Sequence, residues 1–393
     1  MNKNVWLLFA SNAFAFSVAP VTVFLSGIIG SKISPIKSLS TLPMSLSIVG
    51  TAIFIIAASK IMSITGRKKG FILASISTSL IALLASYAVL KQNFLLYSIS
   101  CFFLGFGMAF AHQYRFAAAE SVDKKQAPKA ISLLLFAGIL SALLGPNLAN
   151  YGKNLISESL YVGSYICLSL LTLSSIFFLI FYNEKKFTNK QKITKGRSIY
   201  ELISQPKFLQ AIVSSSFAYA VMSFLMTATP ISMHIVEKMS LDSTSIVIQL
   251  HIISMFLPAL FTGNLIKILG HNKIMLIGVL FFVLTIFLSF MEQTLINYIF
   301  ALVFLGVGWN FLFISGTSLL VLNYKDEEKY RAQGFNDFIV FSIQATASLT
   351  AGIVLSFTSW RVMNLLCIPF LIIIIISIYR AEKLTKTSNN VST

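Results

Sequence analysis

Asp337 stands at the head of the run Asn-Asp-Phe-Ile-Val-Phe-Ser-Ile-Gln, residues 336 to 344, with apolar sequence continuing on its far side. A carboxylate in such surroundings is costly to keep ionised, so it either pairs with a base or takes up and releases a proton. The bases at hand in sequence are Arg331 and others near that end of the run. His251, two residues after Gln249, is the second titratable group set among apolar residues, suited to titration or to plain packing. Trp309 and Asn310 form a third site of interest: an indole for stacking beside an amide that must find a partner wherever water is absent. The segment His112-Gln113-Tyr114-Arg115, followed by Glu120, supplies a fourth group of polar residues. The four histidines are scattered, with no His-x-x-His or Glu-x-x-His spacing, and the chain has no Walker-type glycine loop. Metal chemistry, nucleotide hydrolysis and enzymatic catalysis are therefore not expected, and no cofactor is called for.

The elements that carry these residues are membrane-spanning. The 393-residue chain is 56% hydrophobic and 11% charged, contains 35 Phe, and has a mean hydropathy of +0.82. So much apolar surface does not fit inside a soluble globule of this size. Twelve apolar runs long enough to cross a bilayer begin near residues 4, 40, 70, 94, 128, 158, 208, 244, 273, 295, 332 and 361. The first, Val5 to about Ile29, is too long for a signal-peptide core. Cys101, Cys167 and Cys367 all fall inside apolar runs and read as small packing residues. The fold class is thus all-α membrane protein. The net charge of +17 follows position: with the N-terminus inside, 24 of the 30 Lys and Arg fall in cytoplasmic links or helix ends. That bias places both termini in the cytoplasm and makes the basic clusters neighbours of anionic lipid rather than of nucleic acid.

The chain repeats itself. Residues 102 to 110 read FFLGFGMAF and residues 303 to 311 read VFLGVGWNF, an offset of 201. The links SKIMSITGRKKG (59 to 70) and GNLIKILGHNKIM (263 to 275) share a small residue seven before a glycine, Ser59 with Gly66 and Gly263 with Gly270, at an offset of 204. Two matches at nearly one offset indicate an internal duplication. The expected organisation is a six-span bundle over residues 1–182, a cytoplasmic linker at 183–207, a second bundle over 208–382 and a tail at 383–393.

A six-plus-six duplication resembles the major facilitator transporters. The link after span 2 keeps the second half of that superfamily's loop motif as Gly66-Arg67-Lys68-Lys69, departing from it at Ser59 and at Ser63, where an Asp is usual. Gly138 through Gly145-Pro146 is similar to its span 5 motif, and Cys101 occupies the place of an Arg common in proton-linked members. The resemblance implies two pseudo-symmetric six-helix bundles that carry a small organic solute by alternating access, as a monomer, with proton coupling as one option. Export of drugs or metabolites is the alternative within the fold, and a channel or non-transporting receptor the alternative outside it.

Roles follow from this frame. Gly105 and Gly107 lie about 200° apart on a helix, so each serves a different neighbour, as do Gly306 and Gly308, while Gly145 and Pro146 pack span 5. Asn12, Phe16, Tyr219, Ser223, Trp309, Asn310 and Gln344 are the expected cavity-facing residues, with an interhelical hydrogen bond as the other use of Asn310. Asp337 and His251 are the proton candidates. Arg115 and Glu120 are expected to snorkel to the cytoplasmic face, Glu120 pairing with Arg67 or Lys68 in a gate; Arg115 held inside against an anionic solute is the other option. Glu327 and Glu328 are expected to meet Lys267 or Lys273 likewise.

Overall fold

A computed structural model describes residues 2–391 apart from 37–38, 40–41, 157–159 and 185–195. Among the described residues there is no strand. The helices are α1 (Lys3–Ala15), α2 (Val18–Ile33), α3 (Leu42–Thr65), α4 (Arg67–Leu90), α5 (Phe94–Ala111), α6 (Tyr114–Glu120), α7 (Ala127–Gly152) and α8 (Val162–Phe181). They continue as α9 (Ile199–Ile203), α10 (Pro206–Ile231), α11 (Leu241–Phe256), α12 (Ala259–Leu269), α13 (His271–Leu288), α14 (Leu295–Leu322), α15 (Lys329–Phe357), α16 (Trp360–Leu365) and α17 (Ile368–Val391). Among the described residues, ten spans are long and apolar enough to cross a bilayer, and the pair α11 and α12 makes an eleventh. Helix α15, with 29 residues, has the length for a twelfth, its charges Lys329, Arg331 and Asp337 all lying in the first nine residues. Of the interval read as linker, residues 185–195 lie outside the described residues; α9 lies within the remainder, started by a capping box between Ser198 and Glu201.

Several spans are broken where the sequence promises continuous apolar runs. The first run is two helices, interrupted at Phe16 and Ser17. Pro20 has no N–H to return to the Phe16 carbonyl, which accepts from Ala19 N at 3.1 Å instead, and Ser17 Oγ donates to Ala13 O at 2.8 Å. Pro258 breaks the eighth run in the same way, and its two pieces meet at 41°.

The helices group into two compact units. One comprises Met1–Asp123, Leu133–Lys192 and Gln333–Phe338; the other comprises Lys124–Ser132, Ile193–Ala332 and Ile339–Thr393. Each unit therefore includes one short helical segment from the opposite half of the sequence. In the first unit α5 lies against α3 and α4, and α8 against α1 and α4; in the second α14 lies against α10, α11 and α13.

The repeated phrase governs this packing. A Cβ on Gly105 would strike the α3 backbone at Gly50 and Ser47, and one on Gly107 would strike the side chain of Thr78 on α4. A Cβ on Gly306 would strike Ser254 and the His251 carbonyl on α11, and one on Gly308 the ring of Phe282 on α13. Each glycine pair thus seats two different neighbours, in matching order. The second repeat also has a shared geometry. Gly66 (φ 84°, ψ 167°) and Gly270 (φ 81°, ψ 163°) each precede a helix in a backbone region that L side chains rarely adopt. Their lack of a Cβ is what allows that tight entry into α4 and α13. Gly145 on α7 approaches Val21 of α2 and the Ser17 carbonyl in the break of the first span; the side chain of Pro146 lies outside the described residues.

Candidate functional site

Two polar or aromatic constellations stand out, one in each unit. In the first unit the loop glycine turns the chain so that Arg67 opens α4 and points inward, fully buried. Its guanidinium donates to Glu120 through Nη2 (2.7 Å) and Nε (3.3 Å), to Gln113 Oε1 through Nη1 (3.1 Å), and to Gln333. Gln333 Nε2 returns a bond to Glu120 at 3.0 Å, and Gln113 Nε2 donates to Asp337 Oδ2 at 2.9 Å. Asp337 also accepts from Asn336 Nδ2 (2.8 Å) and from Arg115, with which it forms a buried ion pair. The result is a continuous network with two guanidinium groups and two carboxylates, so its charges cancel. Burial of unpaired charge is what such a network avoids.

This arrangement corrects one expectation and gives the partner in another. Arg115 does not snorkel: it is 3% exposed, because Asp337 holds it inside. The partner of Asp337 is accordingly Arg115 rather than Arg331, which donates to the Arg197 carbonyl. Glu120 does meet Arg67, whereas Lys68 donates through Nζ to Ile180 O at 2.6 Å. Glu184 takes the first backbone amides of α4, accepting from Arg67 N (2.8 Å) and Lys68 N (3.2 Å), where helix N-termini attract negative charge. Sequence reasoning missed Gln333 and Glu184. Gln333, Asn336 and Asp337 stand at i, i+3 and i+4, one face of a helix, which is the signal that was there to be read. Elsewhere in this unit Asn12, 7% exposed, donates to Leu134 O at 3.3 Å, and Phe16 meets the His112 ring edge-on at 5.4 Å.

In the second unit the expected charge pair is also different. Glu327 and Lys267 are exposed, and the ion pair among the described residues is Glu328 with Arg197, at 2.6 Å, with a second contact from Nε at 2.8 Å. The Arg197 side chain, with the Lys325 and Arg197 amides, holds the Glu328 carboxyl down to about 2 against the opposing pull of burial. Nothing in the sequence links residue 197 to residue 328 beyond opposite charge, so the pair was not legible there.

The aromatic constellation lies at the middle of α14. Trp309 stacks on Phe313 one turn later (centroids 5.0 Å apart, 18° between planes). Tyr219, midway along α10, meets both edge-on at 5.2 and 5.0 Å, and Phe256, the last residue of α11, meets Trp309 edge-on at 5.9 Å. Trp309 is 1% exposed, and its Nε1–H has no hydrogen-bond acceptor among the described residues. Asn310 faces the other way. Its Oδ1 accepts from Thr262 Oγ1 at 2.7 Å and its Nδ2 donates to Met255 O at 2.6 Å. The break at Pro258 leaves the last carbonyls of α11 without helical partners, and Asn310 takes one of them. The interhelical use of Asn310 is therefore what the structure contains. Ser223, one turn beyond Tyr219, is buried; Gln344 is half-buried on α15. His251 is fully buried, its Nδ1 bonded to Leu302 O at 2.7 Å.

These geometries can be set beside known proteins. Residues 5–257 and 217–392 each match the Major Facilitator Superfamily. The riboflavin transporter RfnT of Brucella anthropi is 31% identical over 377 residues, covering 95% of this chain and 94% of that protein. Among solved structures, a human organic anion transporter (TETRAN) superposes with a TM-score of 0.76 at 12% identity, over 96% of this chain and 99% of that one. A bacterial homologue of the iron transporter ferroportin, in its outward-facing state, superposes with a TM-score of 0.73 at 13% identity, over 98% and 100%. Two units of matching glycine packing, up to eleven membrane-length apolar spans among the described residues and these matches across nearly the whole length lead to one conclusion: the chain belongs to the Major Facilitator Superfamily and is a multi-pass membrane transporter of a small solute.

Proposed function

We propose that this protein is a secondary carrier for riboflavin or a closely related flavin, working by alternating access in the cytoplasmic membrane as a monomer with both termini inside. The observation that carries this reading is the likeness to RfnT along 95% of this chain and 94% of that protein. The aromatic cluster around Trp309 supports it, since a flat heteroaromatic solute is recognised by stacking and edge contacts. The bias of Lys and Arg supports the orientation. Asp337 is the group best suited to couple a proton: a fully buried carboxylate whose charge is balanced by one guanidinium, Arg115.

The test is uptake of riboflavin by a riboflavin-requiring bacterium that lacks its own transporter and expresses this chain. Growth on low riboflavin and saturable uptake are expected; no gain over the empty vector overturns the flavin reading. Counterflow in proteoliposomes separates a carrier from a channel, because only a carrier accelerates exchange. A protonophore that leaves uptake unchanged removes the proton from the scheme.

A further inference from the structure

Among the described residues, the second unit holds a buried donor with no acceptor, set in an aromatic cluster on helices whose few charges stand near their ends. Leaving an N–H unsatisfied in an apolar interior costs as much as a lost hydrogen bond, so a ligand acceptor is a natural partner for the Trp309 Nε1–H. Along α14 (Leu295–Leu322) there is no charged residue, and along α10 (Pro206–Ile231) the sole charge is Lys207 in the first turn. The buried cations among the described residues are Arg67, Arg115 and Lys329. Arg67 is neutralised by Glu120 and Arg115 by Asp337, while Lys329 is the first residue of α15, set over the ring of Tyr330 at 4.8 Å. Arg67 and Arg115 lie on other helices, and Lys329 stands twelve residues, about 18 Å of helix, before Phe341, the α15 ring that meets Tyr219 edge-on at 5.5 Å.

Resting on the flavin reading, we propose that the Trp309–Phe313–Tyr219 cluster binds the flat ring of the solute with the Trp309 Nε1–H donating to a ring carbonyl, and that the site takes the uncharged flavin and rejects its phosphate esters. Flavin rings carry carbonyl acceptors on their edge, which suits a single indole donor. A phosphate dianion brought to this depth would lose its hydration and find no cation on α10 or α14 beyond Lys207 in the first turn of α10, an unfavourable transfer. Because the indole is 1% exposed, the ring reaches it in a conformation in which Tyr219 has left its edge-on position.

The experiment is titration of the purified full-length chain in detergent with riboflavin, lumiflavin and riboflavin 5′-phosphate, followed by flavin fluorescence. Riboflavin and lumiflavin should bind, and the phosphate ester at least about 100-fold more weakly, as expected where a buried charge goes unpaired. Trp309→Phe keeps a flat ring but removes the donor, and should weaken riboflavin about tenfold with an unchanged melting temperature of the ligand-free protein. Should that variant not fold, 2-thioriboflavin and 4-thioriboflavin probe the same contact on the unaltered chain, and one of them should bind more weakly than riboflavin. Equal affinity for riboflavin and its phosphate overturns the exclusion of charge. Full riboflavin affinity in Trp309→Phe, or equal affinities for riboflavin and both thio analogues, overturns the donor role. Binding of none of the flavins overturns the flavin reading, and this inference with it.

Discussion

Arg115 and Asp337, 222 residues apart in the chain, form an ion pair in which the side chains are 3% and 0% exposed. Gln113 and Asn336 bond the same carboxylate, so the pair has the additional hydrogen bonds that make a buried charge tolerable. Removing one partner leaves the other uncompensated. Asp337→Asn should therefore destabilise the first unit by about 3–5 kcal/mol, and Arg115→Gln on that background should restore much of the loss. Thermal melts of the two single variants and the double variant check this; simple additivity would refute coupling.

Glu328 gives a pH dependence with a definite sign. Its folded-state value is depressed from the ordinary 4.5 to about 2, so its stabilising contribution is fully present above 4.5 and is lost as pH falls from 4.5 toward 2. Melting temperature measured across that acid window should fall less steeply for Glu328→Gln than for the parent. Above pH 6 the two slopes should coincide.

The paired glycines predict which substitutions can be repaired. Gly107→Ala drives a methyl into the side chain of Thr78 and should cost about 1–3 kcal/mol, with Thr78→Ala recovering most of it. Gly105→Ala meets the backbone of α3 instead, and no side-chain change should rescue it. Thermal stability of the four variants distinguishes the cases.

Asn310 satisfies two partners, Thr262 Oγ1 and Met255 O. Asn310→Ala should lower stability by about 1–3 kcal/mol, because it orphans the Met255 carbonyl in an apolar interior, while the Thr262 hydroxyl keeps the Pro258 carbonyl at 2.8 Å. Transport by the variant, normalised to folded protein, should fall less than stability does. A normal melting temperature with abolished transport would return Asn310 to direct solute contact.

Orientation is open to labelling. In a background free of Cys101, Cys167 and Cys367, Lys153→Cys should react with an impermeant maleimide added outside intact cells, and Lys124→Cys should not. The reverse pattern would invert the topology. Lys37, another residue expected outside, lies beyond the described residues.

Much of the architecture is written locally. The length of each apolar run decides that it spans a bilayer, because an unpaired backbone group in hydrocarbon forces a helix whatever its neighbours are. The repeated Gly-x-Gly phrase decides that α5 and α14 each seat two neighbours, because two residues apart on a helix means opposite sides. The paired loop glycines decide two equivalent helix entries, because few other residues tolerate a φ near 80°. These features depend on periodicity and on single residue types, so the sequence alone determined them.

The partners of the polar residues were a different matter. An arginine near a helix end reads equally well as a snorkelling side chain or a buried one, and Arg115 is buried only because α15 brings Asp337 to it. Asn310 reads equally well as a solute contact or an interhelical bond, and the bond forms because Pro258 breaks the neighbouring helix at the level of Met255. Electrostatic and hydrogen-bond energies depend on distance, and distance between residues far apart in the chain exists only once the helices have packed. Tertiary structure therefore decided which charges cancel, which amides are spent, and that the Trp309 N–H is left without an acceptor among the described residues.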